Sequence, residues 1–409
     1  LFFIILMQQP CKNIHWMNYI KFTVFLISCC AAFLGNVIYT LSCGPTPDPY
    51  DYYVSFFNPY TKGKGYEPFY YSTLTSFYGD PTPSEESANV ADWRRLTGGK
   101  VTARDIRECI YTYPQEQLSA IAAGSTGLPD SVMNNSFARF LLKDKHREAA
   151  RYLLFAKTCE PAVNTGDPWS APVRDNALMA DLYSEGETLY GKTKNKYIRD
   201  RYAFQLVRLQ HYSRQYAEAA ALFDKLFGRK ERTSLVYYKS LALKAGALLH
   251  LEDSVQSAYL FSRVFEKAPS LRISCFTSLM WTNTSPEEVY TLCRNNHEKA
   301  GGASSGGRAN SAPDVTAIRE TYALDPASPA LNILLAREMN KVEDTYVSTY
   351  LAEGQSTGGL IGLRDYSPGD SSKMTIQVKA LQALTDSVIA AGKLEDKDFW
   401  QVSSAYLSY

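Results

Sequence analysis

The chain has 409 residues, 43 basic and 42 acidic, and 45% of it is hydrophobic. That length allows two or three domains or one long repeat array, and the near-zero net charge excludes a field that would hold a polyanion, so nucleic acid is not an expected partner. With 29 Tyr and 19 Phe the rings are plentiful, and their expected use is as filler between helices rather than as a surface for proteins or sugars.

The sequence opens on Leu1, so translation is expected to begin at Met7 or Met17, or upstream of the sequence given. After Met17 come a short basic region with Lys21, an apolar run from Phe22 to Leu41, and Ser42-Cys43-Gly44. This resembles a bacterial lipoprotein signal, in which the first residue after cleavage is a lipidated cysteine. The resemblance implies lipid attachment at Cys43, although Thr40 stands where the family prefers Leu. Leu26-Ile27-Ser28-Cys29 fits that rule better, but only with a start at Met7. An uncleaved membrane anchor is the competing reading, since about 20 apolar residues span a bilayer. Pro45, Pro47 and Pro49 favour cleavage, because they begin an extended polar segment suited to a tether.

Residues 1–42 are thus read as a signal segment and 43–83 as a tether followed by an irregular, aromatic-rich stretch. From Asp48 to Asp80 the rings of Tyr50, Phe56, Tyr60, Phe69, Tyr70 and Tyr78 follow no helical or strand period. They form either a platform for a glycan or protein, or an extended segment laid into the grooves of a helical body. The second is preferred, because leaving so many rings in water costs about 25 cal/mol per Å².

From residue 84 onward the pattern is helical. Glu85 to Leu96 makes a short helix carrying Trp93, closed by Gly98-Gly99; Thr102 or Asp105 starts the next, and Pro114 the one after, with Gln117, Leu118 and Ile121 on its face. Met133 to Lys157 reads as a helix pair, and another helix runs from Asp175 to Tyr190. The basic cluster of Lys192, Lys194, Lys196, Arg199 and Arg201 is expected to be a solvated helix start. Tyr202–Tyr212, Tyr216–Phe227, Val236–Leu251 and Ser254–Lys267 then form two antiparallel pairs, each with one apolar face, such as Ala219, Leu222, Phe223 and Leu226.

The spacing of Phe140, Ala149, Leu153, Ala156 and the closing Pro161 resembles the tetratricopeptide repeat. So do Ala219 with Phe223, Ala258 with Phe261 and Phe265, and the helix end Tyr322-Ala323-Leu324-Asp325-Pro326. Leu226 departs from the pattern, standing where the family has a small residue. The resemblance implies an all-α fold of antiparallel helix pairs stacked as a TPR-like α-solenoid over residues 84–355, with Ala149, Leu153, Ala156, Ala219, Phe223 and Ala258 at the seams.

Gly301 to Pro313 is a Gly/Ser-rich insertion expected to be a flexible loop between a helix near Pro286 and one near Val315. A second break runs from Ser356 to Ser372. Residues 373–409 carry a helix with Val378, Leu381, Leu384 and Val388 and a last one with Phe399, Trp400, Val402, Tyr406 and Leu407. The last is read as the start of a further, truncated repeat with an uncovered apolar face; the competing reading folds it back onto the helix before it.

Chemical motifs are missing. The five histidines each stand alone in their segments, and no metal, phosphate or nucleophile motif is present, so no catalytic residue, metal or cofactor is expected. His211 and His250 are placed to cap helix ends. Cys109, Cys159, Cys275 and Cys293 are expected to be free buried thiols. The function expected is a non-enzymatic cell-envelope lipoprotein, membrane-held by its lipid on the outer-membrane or periplasmic side, that scaffolds a protein partner of unknown identity. The alternative is a glycan-binding lipoprotein resembling the SusD family, which would need exposed rings on loops.

Overall fold

Short polar side chains start many of the helices. The computed structural model describes residues 84–163, 174–228, 231–305, 315–352, 371–394 and 396–408, in which there are 18 α-helices and no strand. Ser84 Oγ accepts from the Ser87 amide at 3.1 Å and opens α1 (Glu85–Leu96); Thr102 Oγ1 does the same for Asp105 and opens α2 (Ala103–Arg107), which runs into a π-helical turn, Glu108–Thr112. After α3 (Gln115–Ala123) and α4 (Asp130–Asn134), Asn135 Oδ1 accepts from two amides at 2.9 Å and begins α5 (Ser136–Leu141). α6 spans Arg147–Val163.

Asp175 and Asn195 cap α7 (Asn176–Lys192) and α8 (Lys196–Tyr212). α9 is Tyr216–Phe227; Ser234 caps α10 (Leu235–His250) and Asp253 caps α11 (Ser254–Lys267). α12 (Arg272–Trp281) follows a 3₁₀ turn, Pro269–Leu271, and Ser285 with Glu288 forms a capping box at α13 (Pro286–Tyr290). The remaining helices are α14 (Asn296–Ser305), α15 (Thr316–Leu324), α16 (Ala330–Ala352), α17 (Ser371–Ala391) and α18 (Lys397–Ser408).

Burial of the apolar faces organises these helices around three hydrophobic clusters. The first joins α1 to α8 through Trp93, Phe137, Leu153, Tyr152 and Tyr202; the second joins α8 to α12 through Phe223, Tyr237, Phe261 and Cys275. The third holds Ile318, Leu334, Met339, Leu381 and Trp400 of α15 to α18. Phe265 of α11 packs against both the second and the third. α8 touches α9 and α10, and α10 touches α9 and α11. Gly186 lets α7 come close, since a Cβ there would stand 2.8 Å from the Phe155 ring and 2.9 Å from Leu206.

Two turns repeat one geometry. Arg214 (φ 64°) and Glu252 (φ 66°) both sit in the left-handed region, and in each turn the next residue's amide reaches back to close the helix, Gln215 N to Gln210 O and Asp253 N to Leu248 O. The same offset carries Ala219 to Ser257, Phe223 to Phe261 and Phe227 to Phe265. The residue equivalent to Ala219 is therefore Ser257, whose buried Oγ donates to Ala245 O at 2.8 Å, with Ala258 buried beside it.

Several sequence expectations need correction. Met133–Lys157 is not a simple helix pair, because the Asn135 cap breaks its first half into α4 and α5, and Pro161 lies within the last turn of α6 instead of beyond it. Gly301 to Ser305 is helical, the end of α14, and residues 306–314 lie outside the described ones. Arg201 is not solvated but buried. The last helix is not left with an open aromatic face: α18 packs on α17, Phe399 and Trp400 are buried, Trp400 Nε1 donates to Asn332 Oδ1 at 2.8 Å, and Tyr406 is half-buried, while Val402, 57% exposed, stays in water. The signal segment with Cys43, the tether and the aromatic stretch lie outside the described residues, among which no helix is long and apolar enough to cross a membrane.

Candidate interaction surface

α11 is the support for this region, since α12, α13 and α14 all pack against it. Arg272 fixes α12 by donating from Nε to Phe265 O at 3.0 Å, a cation on the last carbonyls of α11 where the helix dipole favours it. With Arg272 and Cys275 turned inward, the opposite face of α12 carries Ile273, Met280 and Trp281 at 45%, 50% and 71% exposure. Ile273 and Met280 lie two turns apart on one stripe, with Trp281 next to Met280 about 100° round the helix, and Trp281 is the largest ring left in water among the described residues. Many other large rings described are packed on one another: Trp93 lies 5.6 Å from Phe137 and 6.0 Å from Tyr152, and Tyr152 5.1 Å from Tyr202.

α11 and the start of α14 carry a chain of paired charges. Glu298 is buried and accepts from the Arg294 amide at 2.9 Å, Arg294 Nε at 2.8 Å and Tyr259 OH at 3.1 Å; Arg263 lies at 3.6 Å and also bonds Glu266. Burial works to raise the Glu298 carboxyl, but the Arg294 bonds and the Arg263 charge outweigh it and hold it below its usual range. Each of these carboxylates is tied to an arginine or a lysine, so none is poised as a general base. Among the described residues no three His, Cys, Asp or Glu side chains are placed to hold a metal.

A second ionic group lies in the first cluster. Arg201 Nη2 donates to Asp92 Oδ2 at 2.8 Å, Nη1 to Asn89 Oδ1 at 3.0 Å, and the guanidinium lies 4.2 Å from the Trp93 ring centre. Arg201 and Asp92 are both fully buried, so this is a bolt between α1 and α8 rather than a site open to a ligand.

The seam residues expected from sequence are not brought into one site. Ala149 and Leu153 are buried in the first cluster with Ala156 half-buried against it, Phe223 is in the second, and Ala219 and Ala258 are fully buried. His211 does not simply cap: its ring is packed 5.4 Å from Tyr216, which stacks on His250 at 4.2 Å, and burial together with the His250 charge pushes its pKa down to about 4. All four described cysteines are free; burial raises Cys109, Cys159 and Cys275 to about 12, while Cys293 is half-buried. Sequence reading missed Trp281 as an exposed ring and His297 as part of a cluster; an apolar Met-Trp pair ending a helix just before Thr282-Asn283 was the available signal for the first.

The chain matches no protein-family model, no curated protein and no solved structure.

Proposed function

We propose that this chain is a non-enzymatic scaffold of the bacterial cell envelope, tethered by a lipid on Cys43, whose helix pairs stack as a TPR-like solenoid and whose α12 face holds a protein partner. The observation that carries the reading is the stripe of Ile273, Met280 and Trp281. Tryptophan is the residue most enriched at binding hot spots, and an exposed apolar stripe that carries such a ring marks an interaction surface. The solenoid reading draws support from α8, which touches both its own second helix, α9, and the next first helix, α10. The tether rests on the sequence pattern around Cys43. The packing of most described rings against one another speaks for the scaffold over glycan capture, which needs rings gathered on loops.

Two measurements test this. Cys43→Ala should abolish incorporation of labelled palmitate and leave the precursor unprocessed or free of the membrane; a mature-sized, membrane-bound Cys43→Ala protein rejects the tether. The double variant Met280→Ala, Trp281→Ala should keep its Tm and lose a partner that co-purifies with the wild-type protein from detergent-solubilised envelopes. Undiminished co-purification rejects the α12 face.

A further inference from the structure

His297 lies where the second and third hydrophobic clusters meet. Its Nδ1 is 2.6 Å from Asp325 Oδ2, in the turn between α15 and α16, and its Nε2 is 3.1 Å from Glu266 Oε1, near the end of α11. A carboxylate only accepts, so both ring nitrogens must donate, and only the imidazolium can do that. Asp325 is committed on its other side, with Oδ1 accepting from the Ala327 amide at 3.1 Å, so the ring is bonded to the carboxylate that shapes the α15–α16 turn.

We propose that His297 is a pH-responsive clasp: charged, it ties α14 to α11 and to the α15–α16 turn, and losing its proton loosens the α15–α18 helices from the central ones. The charges around it are consistent with that role. On α11, Glu266 also binds Arg263 and Lys267; Arg294, just before α14, binds Glu298 of α14. Glu287 and Glu288 of α13, Arg319 and Glu320 of α15, and Arg337, Glu338 and Lys341 of α16 make none of the ring's hydrogen bonds.

The hydrogen bond to Asp325 raises the His297 pKa above its usual 6.5, burial opposes this, and Glu266 adds to the rise. A raised folded pKa means the clasp is fully closed below about 6.5 and is lost as pH climbs through the folded value. Burial works to raise Glu266, but Lys267, Arg263 and His297 outweigh it and hold it low, so that half of the clasp is present above about 4.5 and fails only as pH falls through the depressed value. The clasp therefore holds at mildly acidic pH and opens as pH climbs through the raised His297 value.

Hydrogen exchange of the full chain in detergent, corrected for intrinsic rates, reads this locally. Between pH 6 and 9 the amides of α15 and of the start of α16 should lose about threefold in protection, the scale of one partly exposed ion pair, while those of α8 to α10 keep theirs. His297→Gln should sit at the alkaline level throughout. PH-independent protection in the wild type, or an unchanged pH response in His297→Gln, overturns the proposal. If that variant fails to fold, the His297 Cε1–H resonance of the wild type decides: a titration midpoint at or below 6.5 overturns the clasp, and one above it that Asp325→Asn brings down supports it.

Discussion

Arg214 and Glu252 are side-chain-bearing residues held at positive φ, a conformation that costs an L-residue about 1–2 kcal/mol, and they tolerate it because each turn needs a left-handed position to close. Glycine removes that cost and returns part of it as chain entropy, so Arg214→Gly and Glu252→Gly should each raise Tm by roughly 1–3 °C. A fall in both by thermal melting contradicts the assigned turn geometry. His211 gives the opposite pH sign to His297. Its folded pKa of about 4 lies below the unfolded 6.5, so its neutral form contributes stability that is present above 6.5 and lost as pH falls toward 4. Urea midpoints at pH 7, 5.5 and 4.5 should therefore decline less steeply in His211→Gln than in the wild type; equal slopes reject the buried neutral ring.

The helices themselves show how far local pattern reaches. Ala219 is fully buried where α9 meets α8 and α10, so Ala219→Leu should overpack the contact and cost about 1–3 kcal/mol by chemical denaturation, while Glu218→Gln on the solvated side of α9 should cost almost nothing. Equal stability of Ala219→Leu and the parent rejects the packing. Glu85–Leu96 and Tyr216–Phe227 were legible to the residue because the 3.6-residue period and the Gly residues that follow each helix are local signals. Asn135 was a readable cap that the repeat spacing overrode, and the repeat register passed over Ser257 because a hydroxyl does not look like a seam residue until its bond to Ala245 O is seen. Arg201 misled for a different reason. Its partner Asp92 lies 109 residues away, and in sequence a basic cluster carries no sign of which member is buried. His297 was illegible likewise, with Asp325 and Glu266 28 and 31 residues distant.

At the scale of the molecule, three clusters follow one another along the chain, joined at Tyr183 and Tyr190 between the first two and at Phe265 between the second and third. Contacts largely between sequence neighbours are what a stacked array of helix pairs produces, and they leave whole helix faces free to carry partners. The exposed stripe of α12 is the face on which the functional reading stands. A photo-crosslinking amino acid placed at Trp281, with one at Glu218 as the control on a solvated face, tests it in living cells. The scaffold reading predicts a discrete cross-linked species from position 281, absent from position 218 and dependent on Cys43. No adduct at 281, or the same adducts at both positions, contradicts it.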